Sequence, residues 1–413
     1  MEVVEDVVIV GAGISGLTTS LGLHRLGIRS LVLESFDSLR ITGFGLSLWT
    51  NAWRALDAIG IGDCLRQQHV TLLGSVLFSR ISGLQMSERS YRDKGKQGDQ
   101  EVRCVKRNLL LEALASELPS GTIRFSSKVV SIEESGYLKL VHLADGTILK
   151  AKVLVGCDGV NSVVAKWLGF KKPVFSERSV VRGCANFKSS HGFEPITMQH
   201  FGNGVRSGAA PCDDKSVYWF FGWSPSSQEK ELEKNPAQLK KYILPKLGKV
   251  QDEIRAVIEN TELDAFVSSP VRYRHPWELL WGNISKGGVC VAGDALHPMT
   301  PDIGQGGCAA LEDGVVLARC LGEALLKNWR QEIRDKDEER KEECKRIEMG
   351  LRNYASERKW RSIDLIITSY VFYLIQEIDG KIISFLRNKF FSPILPWLLL
   401  KKADFDCGKL KSP

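Results

Sequence analysis

No two cysteines in this sequence are spaced as CxxC, and no His/Cys cluster stands at metal-ligand spacing. The ten cysteines are scattered, so neither a zinc site nor a disulfide framework is expected. A long apolar run is missing too. The longest stretch, LIITSYVFYLI at 365–375, is well short of the about 18 residues a membrane span needs. Only six residues precede Val7, so no signal or transit segment is expected ahead of the first apolar strand. Unpaired thiols without a leader predict a reduced, cytoplasmic protein. Charge of one sign is also in short supply: 56 basic against 49 acidic residues leave a net +7. Much of that charge sits in the mixed run RQEIRDKDEERKEECKRIE, 330–348, patterned like a solvated helix face. With no basic stripe carrying interleaved aromatics, a nucleic-acid partner is not expected.

What remains is an ordinary globular composition, 43% apolar and 25% charged over 413 residues, long enough for two or three lobes. The chain opens on VVIVGAGISGL, residues 7–17. A buried-type strand runs into a glycine turn, a helix follows to about Leu26, and a second strand stops at Glu34. Together these form one βαβ unit. In the segment Gly11, Ala12, Gly13, Ser15 and Gly16, the first glycine permits the tight turn and Gly13 lets a pyrophosphate approach the backbone. Gly16 lets helix and strand pack closely. Glu34 lies 23 residues after Gly11, where a carboxylate accepts hydrogen bonds from a ribose diol and repels a 2′-phosphate. This predicts dinucleotide binding without separating NAD from FAD.

Three further motifs make that distinction. VKRNLLLEAL at 105–114 carries Arg107. LKAKVLVGCDGVNSVVAKWLG ends a strand in Asp158-Gly159. GGVCVAGDALHPMTPDIGQGGCAALEDG ends a strand in Gly293-Asp294 and continues through Gly304, Gln305, Gly306 and Gly307 into a helix. In this order the motifs resemble the single-component FAD-dependent aromatic hydroxylases, over about residues 7–361. The GQGGCAALED wording is closest to plant zeaxanthin-epoxidase-like enzymes, of a short type lacking their extra C-terminal domain. The resemblance implies an α/β fold like para-hydroxybenzoate hydroxylase: a Rossmann-like FAD-binding domain, an inserted antiparallel substrate sheet and a C-terminal helical segment.

It also implies roles. The glycine turn and Glu34 would hold the ADP half of FAD, Val129 would meet the adenine, and Arg107 would support the flavin from the side. Asp158 would lie near the pyrophosphate and Asp294 on the ribityl or ribose hydroxyls. Gly304 to Gly307 would bring backbone amides to the isoalloxazine. NAD(P)H would be the electron donor, O₂ a co-substrate, and a flavin C4a-hydroperoxide the agent that hydroxylates or epoxidises an apolar or aromatic small molecule. No protein residue is expected to act as acid or base, and His297 is expected to shape its loop. Where the family's second motif ends in arginine, this chain has Ala165 and Lys166, which leaves the docking of NAD(P)H open. Simpler readings stand beside several of these roles. Asp158 could cap the following helix, Arg107 could pair with Glu112, and Glu312 and Asp313 could serve only the dipole of their helix.

The expected division is 1–75, 100–175 and 280–330 for the FAD-binding domain, 76–99 and 176–279 for the substrate domain, and 331–413 for the helical region. In SVYWFFGW, 216–223, alternation puts Tyr218 and Phe220 on one face and Trp219, Phe221 and Trp223 on the other. Tyr218 and Phe220, with Leu46, Leu48 and Trp49, are candidate substrate-pocket residues, sheet core being the alternative. Arg40 is a candidate for the same cavity. The apolar tail, with Trp397, three leucines and two lysines, predicts packing on the lobes, with peripheral membrane contact as the alternative. Two other functions fit the motifs: a flavin-dependent reductase of an isoprenoid-type substrate, and a flavin-free interaction or escort protein of the same fold.

Overall fold

The computed structural model describes residues 4–40, 44–92, 94–95, 98–226, 229–326, 336–377 and 392–410. The first strand, Val4–Val10, is flanked in parallel by Leu31–Leu33 and Ile148–Gly156. Val289–Val291 joins the far side of Ile148–Gly156, also in parallel. Val7, Val8, Ile9, Val153, Leu154 and Val155 are wholly buried, as expected of strands covered on both faces. The antiparallel pair Val129–Ser135 and Leu138–Leu143 and the short strands Ile123–Arg124 and Ser285–Lys286 complete an eight-stranded sheet.

Helix Ile14–Arg25 packs on helix Gly306–Leu326 at unusually close range. A Cβ on Gly314 would sit 2.6 Å from Thr18, and one on Gly22 would sit 2.6 Å from Ala318. The two glycines therefore bring the first and fourth motifs side by side, though about 290 residues separate them in sequence.

A second sheet of seven strands runs in the order Val267–Tyr273, Val174–Asn186, Ser216–Trp223, Val205–Pro211, Ile196–Gly202, Gly74–Ser79 and Gln85–Ser90. The Ile196–Gly202 and Gly74–Ser79 pair is parallel and the rest are antiparallel. Trp219, Phe221 and Trp223 pack on its back under helices Pro236–Lys246 and Asp252–Glu259. Tyr218 and Phe220 face the other way. The period-2 alternation thus sorts this strand's aromatics between core and cavity.

The mixed-charge stretch enters a 42-residue helix, Lys336–Glu377. Residues 378–391 of the tail, and the side chain of Trp397, lie outside the described residues. In helix Ser392–Ala403, Leu400 is buried, and Leu398 and Leu399 pack against Ile303, Ala309, Leu365 and Phe372. The three leucines considered for membrane contact are thus turned into the protein. Among the described residues no helix is long and apolar enough to cross a membrane.

Candidate functional site

Between the sheets lies a cavity of about 720 Å³, within the usual range for small-molecule sites. One end is the first glycine turn. Gly11 has φ +101°, and a Cβ there would lie 2.5 Å from the Cys157 carbonyl oxygen; on Gly16 it would lie 2.0 Å from the Gly11 carbonyl oxygen. Gly13 differs, because a Cβ there would meet no protein atom within 4 Å and would project into the cavity it lines. Two glycines close the turn and the third keeps space open for a ligand.

Glu34 is buried at the end of Leu31–Leu33 and lines the same end. Its carboxylate accepts the Ala12 N–H at 2.9 Å and the Phe36 N–H at 3.1 Å, which aims it and leaves lone pairs for a ligand's hydroxyls. Val129 lines this end as well. Replacing Glu34 with alanine is expected to weaken FAD retention about 10- to 100-fold, the loss of a charge-assisted hydrogen bond. Fluorimetric FAD titration checks it, and unchanged affinity would remove Glu34 from the site.

Further along, Arg107 projects into the cavity and not toward Glu112. It donates to the Arg40 carbonyl, and its guanidinium lies 5.6 Å from the Phe44 ring. Burial, with Arg40 nearby, pulls its pKa down. Asp158 caps the following helix and also lines the cavity. Its carboxylate accepts the Val163 N–H at 2.7 Å and the Ser162 hydroxyl at 2.5 Å while facing the cavity. Asp294 turns its exposed surface into the cavity, and the protein enclosing it pushes its pKa up. Ala165 is buried, with its N–H on Ser162 Oγ, and Lys166 is exposed.

The fourth motif forms one wall. Gly304 is left-handed at φ +61°, and Gly306 starts the long helix. A Cβ on Gly306 would meet nothing within 4 Å, and one on Gly307 would come no nearer than 3.7 Å. The helix end with its unpaired amides therefore faces open cavity. This combination of an enclosed carboxylate, open glycine backbone and a helix N-terminus fits a dinucleotide carrying a flat ring system.

Four of the expected residues stand behind the cavity wall. Ala12 and Gly16 are occupied in shaping the turn. The Gln305 side chain points away, its amide oxygen accepting from Asn51 at 2.8 Å. Leu48 is a correction: it is wholly buried in the main core, because its strand ends there and the chain bends into helix Thr50–Ala58. Leu46, Trp49, Tyr218 and Phe220 do line the cavity, as does Arg40.

Two groups were not foreseen. Arg206 donates to Asp302 at 2.9 Å and to Gln199 at 2.9 Å, and Arg178 reaches the same Asp302 oxygen at 3.3 Å. All four line the cavity beside the aromatics. An arginine within the small-residue strand Val205–Pro211 was the available signal. The second group lies beneath the fourth motif. Asp313 accepts the Gly293 N–H at 2.7 Å, His297 Nε2 at 2.7 Å and Arg358 Nε at 2.5 Å. Glu312 takes Asn51 at 2.5 Å, Arg361 at 2.7 Å and Arg358 at 2.8 Å. Burial alone would raise the Asp313 carboxyl, yet His297 and Arg358 bring it down to about 2. Burial likewise opposes ionisation of Glu312, and Arg361 and Arg358 overcome it. These acids are the hub of a buried ion network, a larger task than serving a helix dipole.

A parallel-sheet nucleotide cleft joined to an aromatic, mostly antiparallel sheet defines a flavin-dependent oxidoreductase of the para-hydroxybenzoate hydroxylase-like fold. The chain belongs to the FAD binding domain family, whose model matches residues 5–349. It is 54% identical to Monooxygenase 2 of Arabidopsis thaliana over 98% of each chain, and 36% identical to Monooxygenase 1 of the same plant over 98% of this chain and 99% of that one. Klebsiella pneumoniae HpxO, solved with FAD and uric acid, superposes with a TM-score of 0.79 at 21% identity, covering 97% of this chain and 96% of that one. The protein is an FAD-dependent monooxygenase.

Proposed function

We propose that the protein uses NAD(P)H and O₂ to place one oxygen atom on an apolar or aromatic small molecule. One observation carries the reading: a single cavity runs from Glu34 and the glycine turn to the aromatic face of the second sheet. Bound FAD supplies the electron transfer and oxygen activation, and the chain's own residues do the rest. Gly11, Gly13, Ser15, Glu34, Val129 and Asp158 would hold the ADP half, and Arg107, Asp294, Gly304, Gly306 and Gly307 would hold the flavin half. Trp49, Tyr91, Tyr218 and Phe220 wall the substrate space and keep water out of it. The Trp49 and Tyr91 rings meet edge-on at 5.3 Å.

The Arg206–Gln199 pair gives that space a polar point, suited to orienting a ring that carries an oxygen or nitrogen acceptor. Uric acid, bound by the Klebsiella relative, is such a ring. Burial raises the Tyr218 hydroxyl to about 12, so it stays protonated at neutral pH. No residue is assigned as acid or base.

The test is parallel recording of NADH or NADPH oxidation and oxygen uptake across a panel of flat aromatic and isoprenoid compounds. One oxygen consumed per NAD(P)H, with an oxygenated product, is expected. Nicotinamide oxidation with a saturated product and no oxygen uptake would establish the reductase reading instead.

A further inference from the structure

Seventeen large apolar residues are exposed among the described residues, and eight of them gather on two neighbouring elements. Helix Pro276–Trp281 presents Trp277 (54% exposed), Leu280 and Trp281 (86% exposed). The long helix presents Met349, Trp360 (66% exposed), Ile367, Val371 and Leu374. The last four are spaced seven, four and three residues apart, which puts them in one stripe along the helix. Lys359 Nζ donates to the Leu280 carbonyl at 2.8 Å and ties the two elements together beside Trp360 and Trp281.

Around the Trp277–Trp281 helix the free charge has one sign, and the two acids beside Trp360 are paired, Asp364 with Lys402 at 2.5 Å and Glu357 with Arg319 at 2.7 Å. A Cβ on Gly282 would lie 2.5 Å from the Phe170 ring, and Lys286 sits 5.4 Å from the Trp167 ring. The fold thereby gathers Lys166, Lys171, Lys172 and Lys286, all exposed, around the Trp277–Trp281 helix. None of the four makes an ion pair among the described residues. Stretches 163–175 and 272–288 contain a single acid, Glu278, which is engaged by Arg274 at 3.1 Å.

We propose that this face, formed by Trp277, Trp281, Trp360 and the surrounding lysines, docks the protein on an anionic lipid surface. Indoles are amphipathic and settle at the headgroup level, where lysines meet anionic headgroups. A second copy of the chain is a poorer occupant. A two-fold contact sets the same patch against itself and would bring unpaired lysines together while the nearby acids Glu278, Glu357 and Asp364 are already paired. The surface is separate from the C-terminal leucines, which face inward, and it assigns no role in the reaction.

The test is flotation of the FAD-loaded protein with vesicles of phosphatidylcholine alone and with about a third phosphatidylserine, at low and high salt. Binding to the anionic vesicles, weakened by salt, is expected. Lys171→Ala with Lys172→Ala should lower partitioning roughly 25-fold, at about fivefold per lysine. Trp281→Ser with Trp360→Ser should lower it at least as much, while flavin absorbance, and so the fold, is unchanged. Failure to float with anionic vesicles at low salt, or flotation that neither pair lowers, overturns the proposal. So does a concentration-dependent dimer that Trp281→Ser dissociates, since the face would then be a contact between copies. None of these readouts depends on the reaction, so monooxygenase activity stands or falls separately.

Discussion

Replacing Arg358 with methionine is expected to cost about 3–5 kcal/mol of stability, the usual penalty for stranding a buried charge. The side chain is wholly buried, 2.5 Å from Asp313 and 2.8 Å from Glu312. Methionine fills much of the same space but leaves two carboxylates facing each other with less positive charge. The urea midpoint of the FAD-loaded protein measures it. Arg352→Met is the control, because the arginine is largely exposed and its partner Glu348 partly so, and it should cost no more than about 1 kcal/mol. The Arg358→Met deficit should also shrink in acid. In the parent, the depressed Asp313 carboxyl contributes stability that is present above its unfolded value of about 3.9 and lost as pH falls through about 2. A deficit near 1 kcal/mol that ignores pH would mean the network is dispensable.

The second large effect is expected at Gly306. A valine side chain there begins from a Cβ with no protein atom within 4 Å, so the protein itself should fold without a clash. What the added atoms would occupy is the space in front of the helix end. If the flavin ring lies there, intrusion costing about 1–3 kcal/mol weakens FAD binding roughly 5- to 150-fold. The ring would also lose its approach to amides that stabilise the negative charge gained on reduction. The residual flavin should then show a lower reduction potential, and NAD(P)H oxidation should yield peroxide in place of product. FAD titration, redox titration and peroxide yield together decide the matter. Unchanged affinity, potential and coupling would place the flavin elsewhere.

The parts of this site that were legible in the sequence are those where backbone conformation dictates residue type. Gly11, Gly13 and Gly16 announce their turn because each does something a Cβ would prevent. Tyr218 and Phe220 separate from Trp219 and Phe221 because a strand alternates. Leu48 escaped the same logic because its strand stops beneath a helix, a tertiary event that leaves no periodic trace. Glu312 and Asp313 look like any acids near a helix start. Their partners, Arg358 and Arg361, lie more than 40 residues away, with nothing in the spacing to couple them. Arg206 and Asp302 are likewise joined only by the way two strands and a loop converge.

Gly13 and Leu399 both line the cavity, and nearly the whole chain separates them. At about 5–20 residues per second, a ribosome would take roughly 20 to 80 s to pass from one to the other. Throughout that interval the glycine turn lacks the part of the wall that Leu399 supplies, and Asp313, once made, waits 45 residues for Arg358. The part of the wall supplied by Phe372 and Leu399 is therefore made last, after every glycine motif, Asp158 and Asp294.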